Sequence, residues 1–471
     1  AGGLPRLWPG GKVLPPAAAW RPCGDPGTSS AALEENESDL FPDEGRMIAA
    51  RLQRPARALA PVGRRVRYMS SATKTKDDAD SAVPPPPTAD TSGKPVSFED
   101  ISRAAYRIRK SVRHTPCERS HVLSELTGAN IYLKKDLMQF TGSFKERGAS
   151  NSLRSLTEEE RANGVCAASA GNHALALAWH GAQLGVPVTV AMPTVAPLTK
   201  VSRCRSFGAE VIIHGAHIGE AKAFLERERP HQRYVNGYDD PEIIAGAGTM
   251  AIEILEQVPN ADAIVIPVGG AGLIAGVSLA VKTLMPAVKV YGVEPDLCAS
   301  FQAALDHGSP VAPDLVKPTL ADGLAVPVVG PTSFEVCHDL VDETVSVPEL
   351  MVAKAVLRLV EAEKIICEGG GATGLAGLLP GGPLDRPELK GKNIVVALCG
   401  GNIDSTVLGR VIDRGLAADG RLVRFVSTVS DRPGGIAELT STLSELGASI
   451  KDIYHERAWL ATSVEHVQVK C

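Results

Sequence analysis

Lys145 has the clearest chemical potential of any residue in the chain. It lies in the segment Ser143–Ala149, where Phe144 precedes it and Gly148 follows shortly after. A lysine two residues before an arginine, here Arg147, is usually a solvated surface charge, but the apolar and small neighbours predict a helix that begins near the lysine on an apolar, closely packed base. A lysine amine in such a place can condense with the carbonyl group of an aldehyde cofactor, and the Phe144 ring can lie against it.

Three glycine-bearing segments follow Lys145 along the chain. Their members are Ser169, Ala170, Gly171, Asn172 and His173 in the first, Gly269, Gly270, Ala271, Gly272 and Leu273 in the second, and Cys399, Gly400, Gly401 and Asn402 in the third. A basic nucleophile and three turns of this kind are what a pyridoxal phosphate site requires. We therefore predict pyridoxal 5'-phosphate as the cofactor and Lys145 as the catalytic residue.

The glycine loop Gly269–Leu273 closes a predicted strand and opens a predicted helix. Consecutive backbone N–H groups and the helix dipole at such a place can bind a phosphate. The spacing of Gly270, Gly272 and Gly276 also loosely fits a dinucleotide-binding fingerprint. That alternative is disfavoured because Glu294 is the only acidic residue placed to contact a ribose.

The other two segments suggest how the rest of the site works. Asn172 can donate a hydrogen bond to the ring hydroxyl of the cofactor, and Ser169 with the neighbouring N–H groups can hold the substrate carboxylate. A thiol at Cys399 facing the pyridine nitrogen does not force that nitrogen to stay protonated. The electron sink is then weaker, which favours elimination or replacement at the β carbon over transamination.

The elements that must position these segments alternate between short apolar runs and helix-length stretches. Predicted strands are Ala129–Lys134, Gly164–Ala168, Val186–Met192, Glu210–His214, Ala263–Val268, Val288–Val293 and Lys392–Leu398, and predicted helices include His173–Gln183, Leu198–Phe207 and Leu273–Leu284. This alternation is typical of an α/β fold with largely parallel sheets, in which ligands bind beyond the carboxyl ends of the strands.

Composition limits the classes of function. The chain has 471 residues, of which 44% are hydrophobic and 22% charged, with a formal net charge of -5. It shows no basic stripe, so we expect small-molecule partners and no nucleic acid. Its nine cysteines include no C-x-x-C pair, which argues against a disulfide framework or a structural zinc site. The uncharged stretch Ala263–Val281 is better explained as a buried strand, a turn and a helix than as a membrane span.

Residues 1–95 differ from the rest. Residues 1–46 are rich in proline and glycine and are expected to be disordered, or to be an extension that does not belong to the mature protein. Residues 47–71 carry six arginines and no acidic residue, which is the composition of a mitochondrial transit peptide if Met47 is the true start, and a basic disordered tail in a cytoplasmic protein is the alternative. Residues 74–95 are predicted to be a linker.

From about Val96 to Arg414 the chain resembles the fold type II (tryptophan synthase β-like) pyridoxal phosphate enzymes, most closely the threonine dehydratases. Serine dehydratase and serine racemase are near relatives. The resemblance implies a two-domain parallel-sheet architecture, with a large domain at 96–164 and 241–414 and a small domain at 165–240. It also implies the following roles: Lys145 is the Schiff-base lysine, Phe144 the ring-stacking residue, Asn172 the O3 contact, Gly269–Leu273 the phosphate loop, Cys399 the N1 partner, and Glu368 the acidic residue of the family's Glu-Gly-x-Gly-Ala segment.

The implied activity is dehydration and deamination of L-threonine, and of L-serine, with Lys145 removing the α proton before the β hydroxyl leaves. Serine racemases carry a second serine where this chain has Ala170, so racemisation is expected to be poor. A β-replacement enzyme of the cysteine or cystathionine synthase type and a non-catalytic amino-acid sensor are further alternatives. The sequence of the Ser169–His173 segment weighs against a β-replacement enzyme. The presence of Lys145 and Cys399 weighs against a non-catalytic sensor.

Relatives also bind a stabilising cation near Val293–Pro295. The corresponding positions here are Glu294, Cys298 through its carbonyl group, and Ser300, which replaces an aspartate of the racemase pattern. The lower negative charge leaves the ion, monovalent or divalent, undefined, and a plain surface glutamate is nearly as good an interpretation.

Residues 421–471 resemble the opening half of a ferredoxin-like ACT regulatory domain. Leu422–Ser427 and Ser449–Tyr454 are predicted strands around a helix that starts near Asp431, and Val464–Val469 is predicted to be an edge strand with unpaired backbone groups. An amino-acid effector is expected at a complete domain of this kind, and its site is not expected to form in a truncated one. A homodimer is the family's default assembly, and a homotetramer is the alternative. The resemblance also implies a role in amino-acid catabolism or isoleucine biosynthesis.

Overall fold

The computed structural model describes residues 93–457 and 464–471. The strands are β1 Cys117–Ser120, β2 Asn130–Lys134, β3 Val165–Ala168, β4 Val188–Met192, β5 Glu210–Ile213, β6 Arg233–Tyr234, β7 Ala263–Pro267, β8 Lys289–Pro295, β9 Glu343–Val347, β10 Asn393–Ala397, β11 Val426–Ser430, β12 Tyr454–Glu456 and β13 His466–Lys470. The helices are α1 Phe98–Ile108, α2 His121–Thr127, α3 Lys145–Arg154, α4 Glu158–Asn163, α5 Asn172–Leu184, α6 Leu198–Ser206, α7 Ile218–Glu228, α8 Pro241–Gln257, α9 Gly272–Leu284, α10 Ser300–His307, α11 Pro331–Cys337, α12 Glu349–Arg358, α13 Gly369–Leu378, α14 Ser405–Ala418 and α15 Gly435–Glu445. The predicted disordered segment, transit peptide and most of the linker lie outside the described residues.

A six-stranded sheet forms the larger layer, in the order β1-β2-β10-β7-β8-β9. All neighbouring strands are parallel except β1, which pairs antiparallel with β2. Along β7, Ile264 and Ile266 pack into one apolar cluster with α8 and α9, whereas Ala263 and Val265 pack into another with α12 and α13. Both faces of the sheet are therefore covered, which explains why its central strands are nearly continuous apolar runs.

A second sheet contains four parallel strands in the order β5-β4-β3-β6. Val165 and Val190 pack against α5 and α6 on one face, and Cys166 and Ala191 pack against α7 on the other. Burying each of the two valine side chains contributes about 1.5 to 3 kcal/mol relative to leaving it in water. The two sheets confirm the predicted α/β class, and their carboxyl ends carry the segments identified above.

The third sheet is antiparallel, in the order β11-β13-β12, with α15 between β11 and β12 in sequence. The predicted edge strand at Val464–Val469 is wrong, because β13 pairs on both sides and is the central strand. Val467 and Val469 are buried, so the alternating apolar residues of β13 face the inside of this small unit. The other two strands lie a few residues later than predicted.

The uncharged stretch Ala263–Val281 is divided between β7, the glycine loop and α9, as predicted. Among the helices of the described residues, none has the length and apolar composition needed to cross a membrane.

Candidate active site

The start of α3 is joined to the loop that follows β10. The backbone N–H of Phe144 donates to the carbonyl of Cys399 at 2.9 Å, and Ser143 forms an isolated antiparallel bridge with Gly400. Because β10 lies between β2 and β7, these contacts hold the first turn of α3 against a central strand of the large sheet. Lys145 and Cys399, which are far apart in sequence, are thereby brought together.

The amine of Lys145 is held between a ring and a carbonyl oxygen. Its Nζ lies 4.9 Å from the centre of the Phe144 ring and donates a hydrogen bond to the carbonyl of Gly237, which follows β6. Gly237 has no room for a side chain, since a Cβ there would lie 2.7 Å from Cγ of His173. The approach of this carbonyl to the lysine therefore depends on glycine at this position.

Burial makes the Lys145 amine less basic than a free lysine. Loss of hydration lowers its pKa from 10.5 to about 8. Roughly a tenth of such an amine is neutral at pH 7, compared with well under a thousandth for an ordinary lysine. A single group can then act both as nucleophile and as general base.

His173 lies beside Lys145 and is held neutral. Burial, followed by the positive charge of Lys145, lowers the pKa of His173 to about 3. Its Nε2 contacts the carbonyl oxygen of Val235 at 3.0 Å, and its Nδ1 is buried without a partner in the described residues. His173 therefore adds no charge to the site.

The glycine loop Gly269–Leu273 leads directly from β7 into α9. Ala271 has a φ of 70°, in the left-handed region that is uncommon for residues other than glycine. A Cβ at Gly270 would lie 2.3 Å from the Tyr238 ring, and one at Gly272 would lie 2.2 Å from the Tyr238 carbonyl oxygen. The backbone of the loop and the Tyr238 segment are thus in close contact.

The loop fits a phosphate group. Among residues 93–457 and 464–471, no protein acceptor receives a hydrogen bond from the backbone N–H groups of Gly269 to Leu273. All five residues are buried, and buried N–H groups without an acceptor are rare because they cost free energy. Five unpaired donors at the N-terminus of a helix are a suitable cradle for an anion.

Asn172 is the first residue of α5, and the structure places it against α13. Its Nδ2 donates to Oε1 of Glu368 at 2.6 Å. Burial, followed by the charge of Asp322, raises the pKa of Glu368 to about 7, and the bond from Asn172 opposes that shift. This carboxyl group therefore changes its charge close to neutral pH.

Cys399 is buried at the end of β10, with its Sγ 3.5 Å from the carbonyl oxygen of Ala397. Burial, more than any neighbouring charge, raises the pKa of this thiol well above its usual value. The group is consequently a neutral thiol and not a thiolate. That state is the one required of a partner that leaves a pyridine nitrogen unprotonated.

The segment Ser169–His173 turns from β3 into α5. The Ser169 hydroxyl accepts a hydrogen bond from the N–H of Gly171 at 3.3 Å, and Gly171 is the N-cap of the helix. The N–H groups of Ala170 and Asn172 have no acceptor among the described residues. This half-exposed helix start can receive a carboxylate.

A cleft of about 520 Å³ opens beside Glu368 and Asn402, lined also by Lys200, Arg203 and Asp322.

The sequence motifs assign no role to Gly237, Tyr238 or Asn402. Tyr238 and Gly237 follow a two-residue strand with no glycine-rich signature, so no sequence signal identified them. Asn402 was within the third segment, and its proximity to Cys399 was the available signal.

The predicted cation site is organised in a different way. Both carboxylate oxygens of Glu294 accept hydrogen bonds from backbone N–H groups, at 2.7 Å from Phe301 and 2.9 Å from Gln302, so that Glu294 caps α10. Burial raises the pKa of Glu294 to about 7. The Ser300 hydroxyl is buried without a partner in the described residues, which also contain no cluster of three or more metal-binding side chains. The cation site stays a prediction.

A buried ion cluster lies beneath α3. Arg147 contacts Asp136 at 2.7 Å and Glu253 at 2.7 Å, and Lys134 also contacts Glu253. The Arg147, Asp136 and Lys134 side chains are fully buried. Two positive and two negative groups balance one another, and Arg147 lies two residues after Lys145 on the same first turn.

Residues 108–400 match a protein family described as "Pyridoxal-phosphate dependent enzyme". The chain is 43% identical over 365 residues to a curated L-threonine ammonia-lyase of Thermotoga maritima, with 77% of this chain and 90% of that protein covered. A solved structure of the processed form of threonine deaminase isoform 2 from Solanum lycopersicum is 34% identical, with a TM-score of 0.63 and coverage of 67% of this chain and 93% of that one. The structure of maize serine racemase is 30% identical, with a TM-score of 0.62 and coverage of 69% and 99%. The span matched by the family contains Lys145, Asn172, the glycine loop and Cys399.

Proposed function

The chain belongs to the family of pyridoxal-phosphate dependent enzymes, and from that premise we propose that it dehydrates and deaminates L-threonine to 2-oxobutanoate and ammonia, and L-serine to pyruvate and ammonia. The proposal rests on the position of the half-buried Lys145 side chain, whose Nζ lies 4.9 Å from the centre of the Phe144 ring, and on the loss of hydration that lowers the pKa of its amine to about 8. The name of the Thermotoga maritima relative supports threonine as the substrate.

The residues present fit pyridoxal phosphate, and we propose a role for each. The N–H groups of Gly269–Leu273 hold the phosphate, Phe144 lies against the ring, and Asn172 contacts the ring hydroxyl. The neutral Cys399 thiol faces the ring nitrogen. When bound, the cofactor supplies an electron-withdrawing ring that makes the α C–H bond of the substrate acidic.

Lys145 and the Ser169–His173 segment carry out the remaining steps in this proposal. The N–H groups and hydroxyl of that segment hold the substrate carboxylate, which orients the α proton toward Lys145. Nζ of Lys145, in its neutral form, takes that proton. Loss of the β hydroxyl as water and subsequent hydrolysis give the 2-keto acid and ammonia.

Racemisation is the second candidate, since maize serine racemase is similar in sequence and structure. Inverting the α carbon requires a proton donor on the face opposite Lys145. Ala170 stands where a serine would supply that proton, and its methyl group cannot donate one. We therefore propose that elimination dominates.

Four assays on the purified, cofactor-loaded chain distinguish these activities. We expect 2-oxobutanoate from L-threonine and pyruvate from L-serine, little D-serine, and no cysteine when sulfide is added. Dominant formation of D-serine would contradict the proposal in favour of racemisation, and a sulfide-dependent product would contradict it in favour of β replacement.

Several finer properties are also proposed, on sequence patterns alone. The arginine-rich residues 47–71 support a mitochondrial location, with the cytoplasm as the alternative. Residues 421–471 support an ACT-like regulatory segment that binds an amino-acid effector. That role fits isoleucine biosynthesis as well as amino-acid catabolism. We also propose that the protein assembles as a homodimer or homotetramer. A cation is proposed to bind at Glu294, Cys298 and Ser300.

A further inference from the structure

Asn402 connects three elements around the site. Its Nδ2 donates to the carbonyl oxygen of Thr141 at 2.7 Å and to Oδ1 of Asn172 at 2.9 Å. Its Oδ1 accepts a hydrogen bond from Nη1 of Arg203, on α6, at 3.0 Å. One amide thus joins the loop before α3, the start of α5 and α6.

The direction of these hydrogen bonds is determined by the partners at the two ends. The oxygen and nitrogen of an asparagine amide are normally assigned only from their partners. Arg203 can only donate, and the Thr141 carbonyl can only accept, so the Asn402 amide has a single orientation that satisfies both. It therefore presents an N–H group to Asn172.

The orientation of Asn172 follows from that of Asn402. Because Oδ1 of Asn172 accepts from Asn402, its Nδ2 is directed to Glu368, to which it donates at 2.6 Å. An amide nitrogen has two N–H groups, and the bond to Glu368 uses one of them. The second N–H remains available as a donor to the phenolic oxygen of the cofactor.

Close packing holds this arrangement in place. A Cβ at Gly142 would lie 2.7 Å from Oδ1 of Asn402, and one at Gly400 would lie 2.0 Å from Oε1 of Glu368 and 3.1 Å from Nδ2 of Asn172. Glycines at these positions allow the backbone to approach the polar groups on both sides. The amides consequently have little space in which to change their contacts.

We propose that Asn402 is a positioning residue that fixes the polarity of the Asn172 amide, so that Asn172 presents a hydrogen-bond donor to the cofactor. The inference rests on the proposed function, in that Asn172 is taken to contact the cofactor. Asn402 itself acts only through Asn172. Reversing its polarity should therefore change the electronic state of the bound cofactor as well as the rate.

The test uses Asn402→Asp, which keeps the shape of the side chain and the acceptor for Arg203 but removes both donated bonds. Asn130→Asp is the matched control. Asn130 likewise accepts from an arginine, Arg119, and donates to a backbone carbonyl, that of Gly391, and to another asparagine, Asn393. It lies at the amino end of β2, whereas the site lies beyond the carboxyl ends of the strands.

Cofactor titration of each apoprotein, followed by absorption, gives a readout besides activity. We expect Asn402→Asp to raise the cofactor dissociation constant about tenfold or more, to shift the absorption maximum of the bound cofactor, and to lower kcat more than it changes KM. Asn130→Asp should stay within about twofold of the wild-type protein in each quantity.

A cofactor affinity and spectrum for Asn402→Asp equal to those of Asn130→Asp would overturn the inference. Should the new carboxylate prevent folding, as judged by thermal melting, Asn402→Ala removes the same donated bonds without introducing a charge, and the same shifts are expected of it. Wild-type protein that forms no keto acid from threonine would contradict the proposed function instead, while the titration would still decide the role of Asn402.

Discussion

At the scale of single residues, the chemistry depends on how far loss of hydration lowers the pKa of the Lys145 amine. Among the described residues, none places a carboxylate charge on this amine, so loss of hydration dominates and lowers its pKa to about 8. Cys399 and His173, which are also buried, remain uncharged for the same reason. Of these three residues, Lys145 is therefore the one that changes its charge near the pH at which enzymes usually work.

The first prediction concerns pH. Because the neutral amine takes the α proton, kcat for L-threonine should rise with pH and reach half of its maximum near pH 8. Glu368 is a second group near the site, with a pKa of about 7. A pH profile of the Glu368→Gln variant separates the two, since the rise near pH 8 should persist in it. A wild-type kcat that is constant or falls between pH 6.5 and 9 would be incompatible with Lys145 as the base.

Sequence patterns predicted the site residues that lie in recognisable motifs. They gave no indication of residues that reach the site only through the folding of the chain. Lys145, Asn172 and Cys399 were predicted from glycine-bearing segments, and the structure brings Lys145 and Cys399 together. Gly237 and Tyr238 contact the lysine and the glycine loop from a connection about 90 residues after Lys145. No local pattern marks such a residue, because its position is determined by the path of the chain between β6 and α8.

At the scale of elements, the predicted strands include every central strand of the two larger sheets but only one of their four edge strands, β5. The seven predicted strands correspond to β2, β3, β4, β5, β7, β8 and β10. The three that were missed before residue 421, β1, β6 and β9, are all edge strands. Central strands are buried on both faces and are apolar throughout, whereas an edge strand such as Cys117–Ser120 keeps polar, exposed residues that resemble a loop.

The second prediction tests the glycine loop. In Gly270→Ala, the new Cβ would lie 2.3 Å from the Tyr238 ring, so that the loop and the ring must move apart. We expect the cofactor dissociation constant to rise at least about tenfold and the free energy of unfolding to fall by about 1 to 3 kcal/mol. Gly409→Ala is the control, because Gly409 is exposed on α14 with open space around its Cβ position. Unchanged cofactor binding in Gly270→Ala would show that the loop does not hold the phosphate.

The third prediction tests the ion cluster beneath α3. Arg147→Met leaves Asp136 buried without its bidentate partner, and we expect the free energy of unfolding to fall by about 3 to 5 kcal/mol. The exposed pair Arg103 and Glu99 provides a comparison, since Arg103→Met should cost less than about 1 kcal/mol. Urea unfolding of the apoproteins measures both. Equal losses for the two variants would mean that the cluster does not anchor the first turn of α3.

At the scale of the whole molecule, the segment from 421 onward forms its own small antiparallel sheet. The sequence predicted strands and a helix there, but wrongly placed the last strand at the edge. Pairing order in an antiparallel sheet depends on contacts between distant segments, which local alternation does not reveal. The segment contacts the rest of the chain through Lys451, which is 2.7 Å from Asp413, and through Arg421, which contacts Glu361.

The fourth prediction follows from this arrangement. All the residues proposed to contact cofactor or substrate precede α14, so a chain that lacks residues 425–471 should keep kcat for L-threonine within about twofold of the full chain. This deletion retains Arg421 and its ion pairs. Steady-state kinetics on both chains measures the effect. Complete loss of turnover in a shortened chain that still melts cooperatively would show that the third sheet contributes to the site.

The fifth prediction concerns the covalent attachment of the cofactor to Lys145, on which the proposed chemistry depends. Borohydride reduction of the cofactor-loaded protein, followed by mass analysis of its peptides, should place a phosphopyridoxyl group on Lys145. Lys145→Ala should carry no such group and should form no measurable 2-oxobutanoate. A label on another residue, or full turnover by Lys145→Ala, would contradict the proposal that Lys145 binds the cofactor and acts as the catalytic base.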